Sequence, residues 1–117
     1  MAQGCKDKPR EADVQQAIRL ALGLEPGLVL WRNQVGVAMH AERTVPYGVG
    51  GVGGSDLIGL LNGRFIALEI KTPTGRVRAE QLGFIECVRA NGGFAAIVRG
   101  VEDARAAIDR ARKGEAG

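Results

Sequence analysis

The dipeptide Asn62-Gly63 constrains this chain more than any other feature. Between two apolar, β-prone runs, Asn-Gly is the strongest short-range signal for a two-residue hairpin turn, because both residues adopt positive φ at little cost. Taking it as the turn pairs Leu61 with Arg64, so opposed residues have numbers summing to 125. On that register Asp56 stands across from Glu69, and alternation along the strand puts Lys71 on the face of Glu69. Directly opposed residues have Cβ atoms about 4.5–5.5 Å apart. Two carboxylates so placed repel each other unless positive charge lies between them. A divalent cation meets that need, and Mg²⁺ takes carboxylate oxygens while retaining part of its water.

The face with Asp56 and Glu69 also carries Ile58, Leu60, Phe65 and Ala67. The other face carries Leu57, Leu61, Ile66, Leu68 and Ile70. With both faces apolar, these strands should be covered on both sides by helices or by another subunit. Upstream, Val14, Ala17, Ile18, Ala21 and Leu22 recur at helical spacing. This predicts a helix from about Pro9, a good first-turn residue, to Leu22, closed by Gly23. Leu28–Gln34 reads as a strand and residues 35–54 as irregular chain. After Thr72-Pro73-Thr74-Gly75 a helix is expected over Arg78–Ala90, stopped by Gly92-Gly93. A short buried strand, Phe94–Arg99, follows, and strand–helix–strand units of this length make right-handed parallel crossovers. Glu102–Arg112 is the last helix, with acids at its front and bases at its back as the helix dipole prefers. Met1–Lys8 and the tail from Lys113 are expected to be disordered. The fold class is therefore α/β, a mixed sheet with helices on its faces.

Glu11 sits three residues before Val14 and seven before Ile18, on the inward edge of the first helix. It is either a first-turn acid stabilised by the helix dipole or a third acid aimed at the Asp56–Glu69 site. Arg32-Asn33 ends the first strand, as a solvated strand end or as a phosphate contact. The run from Tyr47 to Gly54 lacks the Gly-Lys-Ser/Thr ending of a P-loop, so no nucleotide cofactor is expected. Its place just before Asp56 favours a loop where backbone approaches DNA or a partner subunit closely over a mobile linker.

Asp56, Glu69-Ile70-Lys71 and Gln81 together resemble the PD-(D/E)XK nuclease signature, and in particular the stand-alone virus-type replication-repair nuclease (VRR-NUC) domain. That pattern runs Gly-x-x-Asp, Glu-x-Lys, a short loop, then Gln opening a helix. The resemblance spans Glu11 to about Val98. Each motif alone is common; their order and spacing make the set specific. The resemblance implies a restriction-endonuclease-like core, a mixed central β-sheet flanked by helices. It implies Mg²⁺, with Mn²⁺ as substitute, held by Asp56, Glu69, the Ile70 carbonyl and Glu11, with Lys71 and Gln81 completing the catalytic set. Lys71 would position or deprotonate water, or stabilise the phosphorane, and Gln81 would hold water or the scissile phosphate. Arg32, Asn33, Gly53, Gly54, Ser55 and Arg76 would line the nucleic acid. The implied activity is endonucleolytic cleavage of DNA, structure-selective on branches such as Holliday junctions, by a cytoplasmic homodimer. Competing readings are a non-catalytic DNA-binding module of the same fold, a sequence-specific restriction-like nuclease, and an interaction subunit for which no residue speaks.

Composition bounds the rest. At 117 residues the chain is one domain, 1–117, with a self-standing core. A net charge of +3 is compatible with a nucleic-acid partner without demanding one. Cys5 and Cys87 make no disulfide framework or zinc spacing. The polar first ten residues are no signal peptide, and no apolar run suggests a membrane span. His40 is the single histidine, which leaves no Ser-His-Asp arrangement. Trp31 is expected in the core, and Arg76, Arg78 and Arg99 as solvated charge.

Overall fold

The computed structural model describes residues 10–117. The expectations for Pro9 and for Met1–Lys8 lie outside the described residues. The chain runs α1 (Glu11–Leu22), β1 (Leu28–Arg32), β2 (Gly36–His40), β3 (Arg43–Tyr47), β4 (Leu57–Leu61), β5 (Arg64–Ile70), α2 (Ala79–Ala90), β6 (Phe94–Val98) and α3 (Val101–Arg112). A four-stranded sheet has the order β1-β4-β5-β6. It is mixed: β1 with β4 and β4 with β5 are antiparallel, whereas β5 with β6 is parallel across the α2 crossover. The α/β expectation holds.

The Asn62-Gly63 hairpin has the expected register, with Leu57 opposite Leu68 and Leu61 opposite Arg64. Asn62 and Gly63 have φ of 50° and 87°, the positive pair that a twisted two-residue turn requires. The two faces separate as the alternation predicts. Leu57, Leu61, Ile66, Leu68 and Ile70 join the main core with Val14, Ile18 and Leu22 of α1 and Ala104, Ala107 and Ile108 of α3. Ala67 meets Ile85 and Val88 of α2 on the other face, with Ile58, Phe65 and Phe84 at its margin. Helices thus cover both faces, which is why the hairpin is apolar throughout.

Three expectations change. Residues 35–54 are not wholly irregular, because β2 and β3 form a separate two-stranded antiparallel ribbon, Gly36 opposite Tyr47 and His40 opposite Arg43. Its turn residues Ala41 and Glu42 have φ of 49° and 66° although neither is glycine, so no turn signal marked it. Every ribbon residue except half-buried Gly36 is exposed, so no core periodicity marked it either. Trp31 is 50% exposed, because β1 is an edge strand on the part of the sheet that α2 does not reach. The C-terminal tail lies against the opposite edge, where the Ala95 N–H donates to the Ala116 carbonyl at 3.0 Å. Among the described residues, no helix is long and apolar enough to cross a membrane.

Ile18 is fully buried between α3 and the sheet, whereas Leu24 is almost fully exposed. Ile18→Ala is expected to cost about 2–5 kcal/mol of unfolding free energy by urea denaturation. Leu24→Ala should stay within about 0.5 kcal/mol.

Candidate active site

The C-terminal end of β5 carries the site. Glu69 and Lys71 alternate onto the α2 side of the sheet and are both buried, 1% and 8% exposed. Their side chains form an ion pair at 3.7 Å. This is no solvated edge-strand pair, since β5 is central between β4 and β6. Asp56 lies one residue before β4, just beyond the ladder. Its Oδ2 accepts the Ile70 N–H at 2.9 Å, so the aspartate caps the strand that carries Glu69. A residue in an extended strand directs its N–H and C=O to the same side, so the Ile70 carbonyl faces this edge too.

Gln81 stands in the first turn of α2 and is buried. Its Nε2 donates to Glu69 Oε2 at 2.9 Å, and its Oε1 accepts the Arg78 N–H at 2.9 Å. One amide therefore caps α2 and fixes the Glu69 rotamer. Each end of the amide makes one bond within the protein, so in this structure Gln81 positions an acid.

The other oxygen of Glu69, Oε1, is fully buried without a hydrogen-bond partner. Its neighbour is Asp56, whose negative charge, after burial itself, is the largest cause of raising the Glu69 pKa to about 8. A proton shared between the two carboxyls adds to this, Lys71 opposes it, and Glu11 contributes slightly. With both acids ionised nothing between them can donate, and Oε1 is left orphaned. A proton resolves the conflict, as would a cation. Glu11, at the start of α1, is also held above the ordinary carboxyl range, first by burial, then by Asp56, with Lys71 and Arg78 opposing. The inward-edge reading of Glu11 thus matches its place beside Asp56, although its side chain is largely exposed.

Among the described residues, no three His, Cys, Asp or Glu side chains form a ready-made metal cage. Mg²⁺ does not need one, being held in many enzymes by one or two carboxylates with water and substrate phosphate. The orphaned Oε1 of Glu69 and the forced approach of Asp56 to the same carboxyl suit such an ion, which Asp56 and Glu69 could hold, with the Ile70 carbonyl and Glu11 near at hand.

The residues expected to line nucleic acid divide. Arg32 and Arg76 are exposed, and Arg32 stands beside Asp56 at the end of β1. Asn33 is turned inward instead. Its amide donates to the carbonyls of Val49 at 2.8 Å and Ser55 at 2.9 Å and accepts the Val49 N–H at 3.0 Å. Gly53, Gly54 and Ser55 are buried beneath the same loop. Gly53 has φ +96°, and a Cβ there would lie 2.5 Å from the Glu80 carbonyl oxygen. Gly53 therefore permits close approach to the start of α2, and Gly54 close approach to the Val49 carbonyl of its own loop. Arg99 is likewise occupied, donating to the carbonyls of Thr72 and Gly75 at 2.8 Å each and pinning the loop after β5. The sequence reading passed over Gln15 and Arg19, which follow Glu11 at four-residue steps and line the groove leading from Asp56. That spacing was the available signal.

No family model matches the chain, and no curated protein matches it significantly.

The folded Glu69 pKa of about 8 lies above the 4.5 of an unstructured glutamate. Between these values the folded protein holds a proton that the unfolded chain has lost. This group's contribution to stability is full below pH 4.5 and is lost as pH rises through about 8. In metal-free buffer the melting temperature should therefore fall more steeply from pH 5 to 8 in the wild type than in Glu69→Gln, as thermal denaturation monitored by circular dichroism would show.

Proposed function

We propose that the protein is a metal-dependent DNA endonuclease with a PD-(D/E)XK core of the VRR-NUC type, acting on branched DNA such as Holliday junctions. The observation that carries this reading is the buried Glu69, fixed by Gln81 and Lys71, with one oxygen orphaned beside Asp56. Asp56, Glu69 and Lys71 meet at the end of one hairpin, the grouping that phosphodiester hydrolysis asks for. Asp56 and Glu69, with the Ile70 carbonyl and Glu11, would hold Mg²⁺ or Mn²⁺, which when bound would lower the pKa of water and neutralise charge on the phosphate.

The protein's own groups do the rest. Asp56 is held still by the Ile70 N–H, so it need not reorganise when substrate arrives. Gln81 fixes one oxygen of Glu69 and leaves the other without a partner. Lys71, buried beside Glu69, presents a single ammonium where the phosphate would lie. There it donates to a non-bridging oxygen and steadies the attacking water. Two copies in a twofold dimer would place two sites for paired cuts on opposing strands. Such work belongs to the DNA-containing compartment of a cell, in keeping with the cytoplasmic expectation.

Cleavage assays on labelled four-way junction, flap, duplex and single strand in Mg²⁺, Mn²⁺ or EDTA test this. Metal-dependent cuts near the branch are expected. Lys71→Ala should slow them by about 10²–10⁴-fold, the span of a lost proton-transfer or charge-stabilising group. Asp56→Asn should abolish detectable cutting. Gln81→Ala should cost about 10–100-fold, as loss of a group that orients a metal ligand does. Undiminished cutting in excess EDTA would sink the reading, and binding of junctions with no cutting in any metal would favour the non-catalytic module.

A further inference from the structure

A groove of about 840 Å³ runs between α1 and β1 and opens at Glu11 and Asp56. One wall is a face of α1, where Glu11, Gln15 and Arg19 succeed one another one turn apart. Over those eight residues the helix advances about 12 Å at 1.5 Å per residue. The other wall is edge strand β1, ending in Arg32. Leu30 and Val29 of β1 and exposed Leu20 of α1 give the groove accessible apolar surface, and Leu22 and Leu28 are buried at its base. The charges are ordered along the length, carboxylates at the mouth and guanidinium groups beside and beyond them.

We propose that this groove receives an unpaired nucleic-acid strand leading away from the acids at its mouth. The proposal rests on the nuclease reading for its direction and goes beyond it in naming the substrate's form. The charge order fits a polyanion: once a divalent cation offsets Glu11 and Asp56, the remaining charged groups are Arg32 near the mouth and Arg19 farther along, each able to meet a phosphate of the strand. The floor distinguishes single strand from duplex. Paired bases are stacked inside a duplex and present sugar and phosphate, which gain nothing from leucines. An unpaired nucleotide has a sugar edge and a base face to bury there. Size agrees, since pockets of roughly 300–1,000 Å³ enclose small ligands and not a double helix. Apart from Glu11 and Leu22, the α1 residues named here lie off the buried Val14, Ile18 and Leu22 stripe, so the fold does not require them.

The test is binding, read without cutting. Fluorescence anisotropy of the full chain in Ca²⁺, with EDTA as the control, would compare a short labelled oligothymidylate with a blunt hairpin duplex across a salt series. The wild type should bind the single strand more tightly than the duplex. Arg19→Ala and Arg32→Ala should each weaken single-strand binding several-fold. Each should also flatten the plot of log affinity against log salt by about 0.7, the increment for one phosphate contact on a single strand. Leu20→Asn should weaken the single strand and leave the duplex unchanged. Circular dichroism melts of all three variants should match the wild type, because Arg19, Leu20 and Arg32 are exposed. Equal or tighter binding of duplex, no single-strand binding by the wild type, or variants with unaltered affinity and slope would overturn the proposal. Groove binding that persists while no metal supports cutting would keep it and remove the nuclease reading; metal-dependent cutting with unaltered groove variants would do the reverse.

Discussion

Everything at the site depends on one unfavourable contact. Glu69 is buried at the end of the central strand β5 with Asp56 as neighbour, and neither acid can move away. The hairpin register fixes their approach, the Ile70 N–H holds Asp56, and Gln81 with Lys71 hold Glu69. Left ionised, the pair is a cost the core has to carry. Burial and the Asp56 charge push the Glu69 pKa to about 8, which measures how strongly the site calls for positive charge. Lys71 answers only one of the two oxygens. A fold that gained nothing from this arrangement would have had easy escapes, such as an amide in place of either acid.

The architecture around the site is set by where side chains can be hidden. β5 is apolar on both faces, so helices lie on each side: α1 and α3 on one, α2 on the other. The parallel step from β5 to β6 requires α2 as its crossover, and the first turn of α2 comes back to the end of β5. Gln81 reaches Glu69 for that reason. The antiparallel step from β1 to β4 brings Arg32 and Asn33 beside Asp56, with the Asn33 N–H donating to the Asp56 carbonyl at 2.8 Å. Four segments far apart in sequence thus converge because sheet topology closes them together.

Legibility in the sequence followed the strength of local signals. Asn62-Gly63 has one good structural solution, so the register and the Asp56–Glu69 juxtaposition were readable from residue numbers alone. α1 and α2 were readable from apolar spacing, and α3 from acids at its front and bases at its back, to within a residue or two. The β2–β3 ribbon was not, because Ala41 and Glu42 adopt positive φ without the residues that announce it, and its strands bury nothing. Asn33, Gly53, Gly54 and Ser55 were noticed as important but given an outward role. Sequence shows that a polar residue or glycine is needed at a place, not which partner needs it, and here the partner is the loop's own backbone. For Gln81 the spacing indicates the neighbourhood, whereas its bonds to Glu69 and to the Arg78 N–H follow only from the coordinates.

The amide of Asn33 has a mechanical meaning. It ties Val49 and Ser55 to the end of β1, and Gly50 and Gly53 seat the same loop on Phe84 and Glu80 of α2. The exposed β2–β3 ribbon springs from this knot on one side, and Asp56 leaves it on the other. The ribbon is thus an arm on a short, stiff shoulder. The exposed ribbon and Asp56 therefore share one anchor, the loop that Asn33 ties to the end of β1.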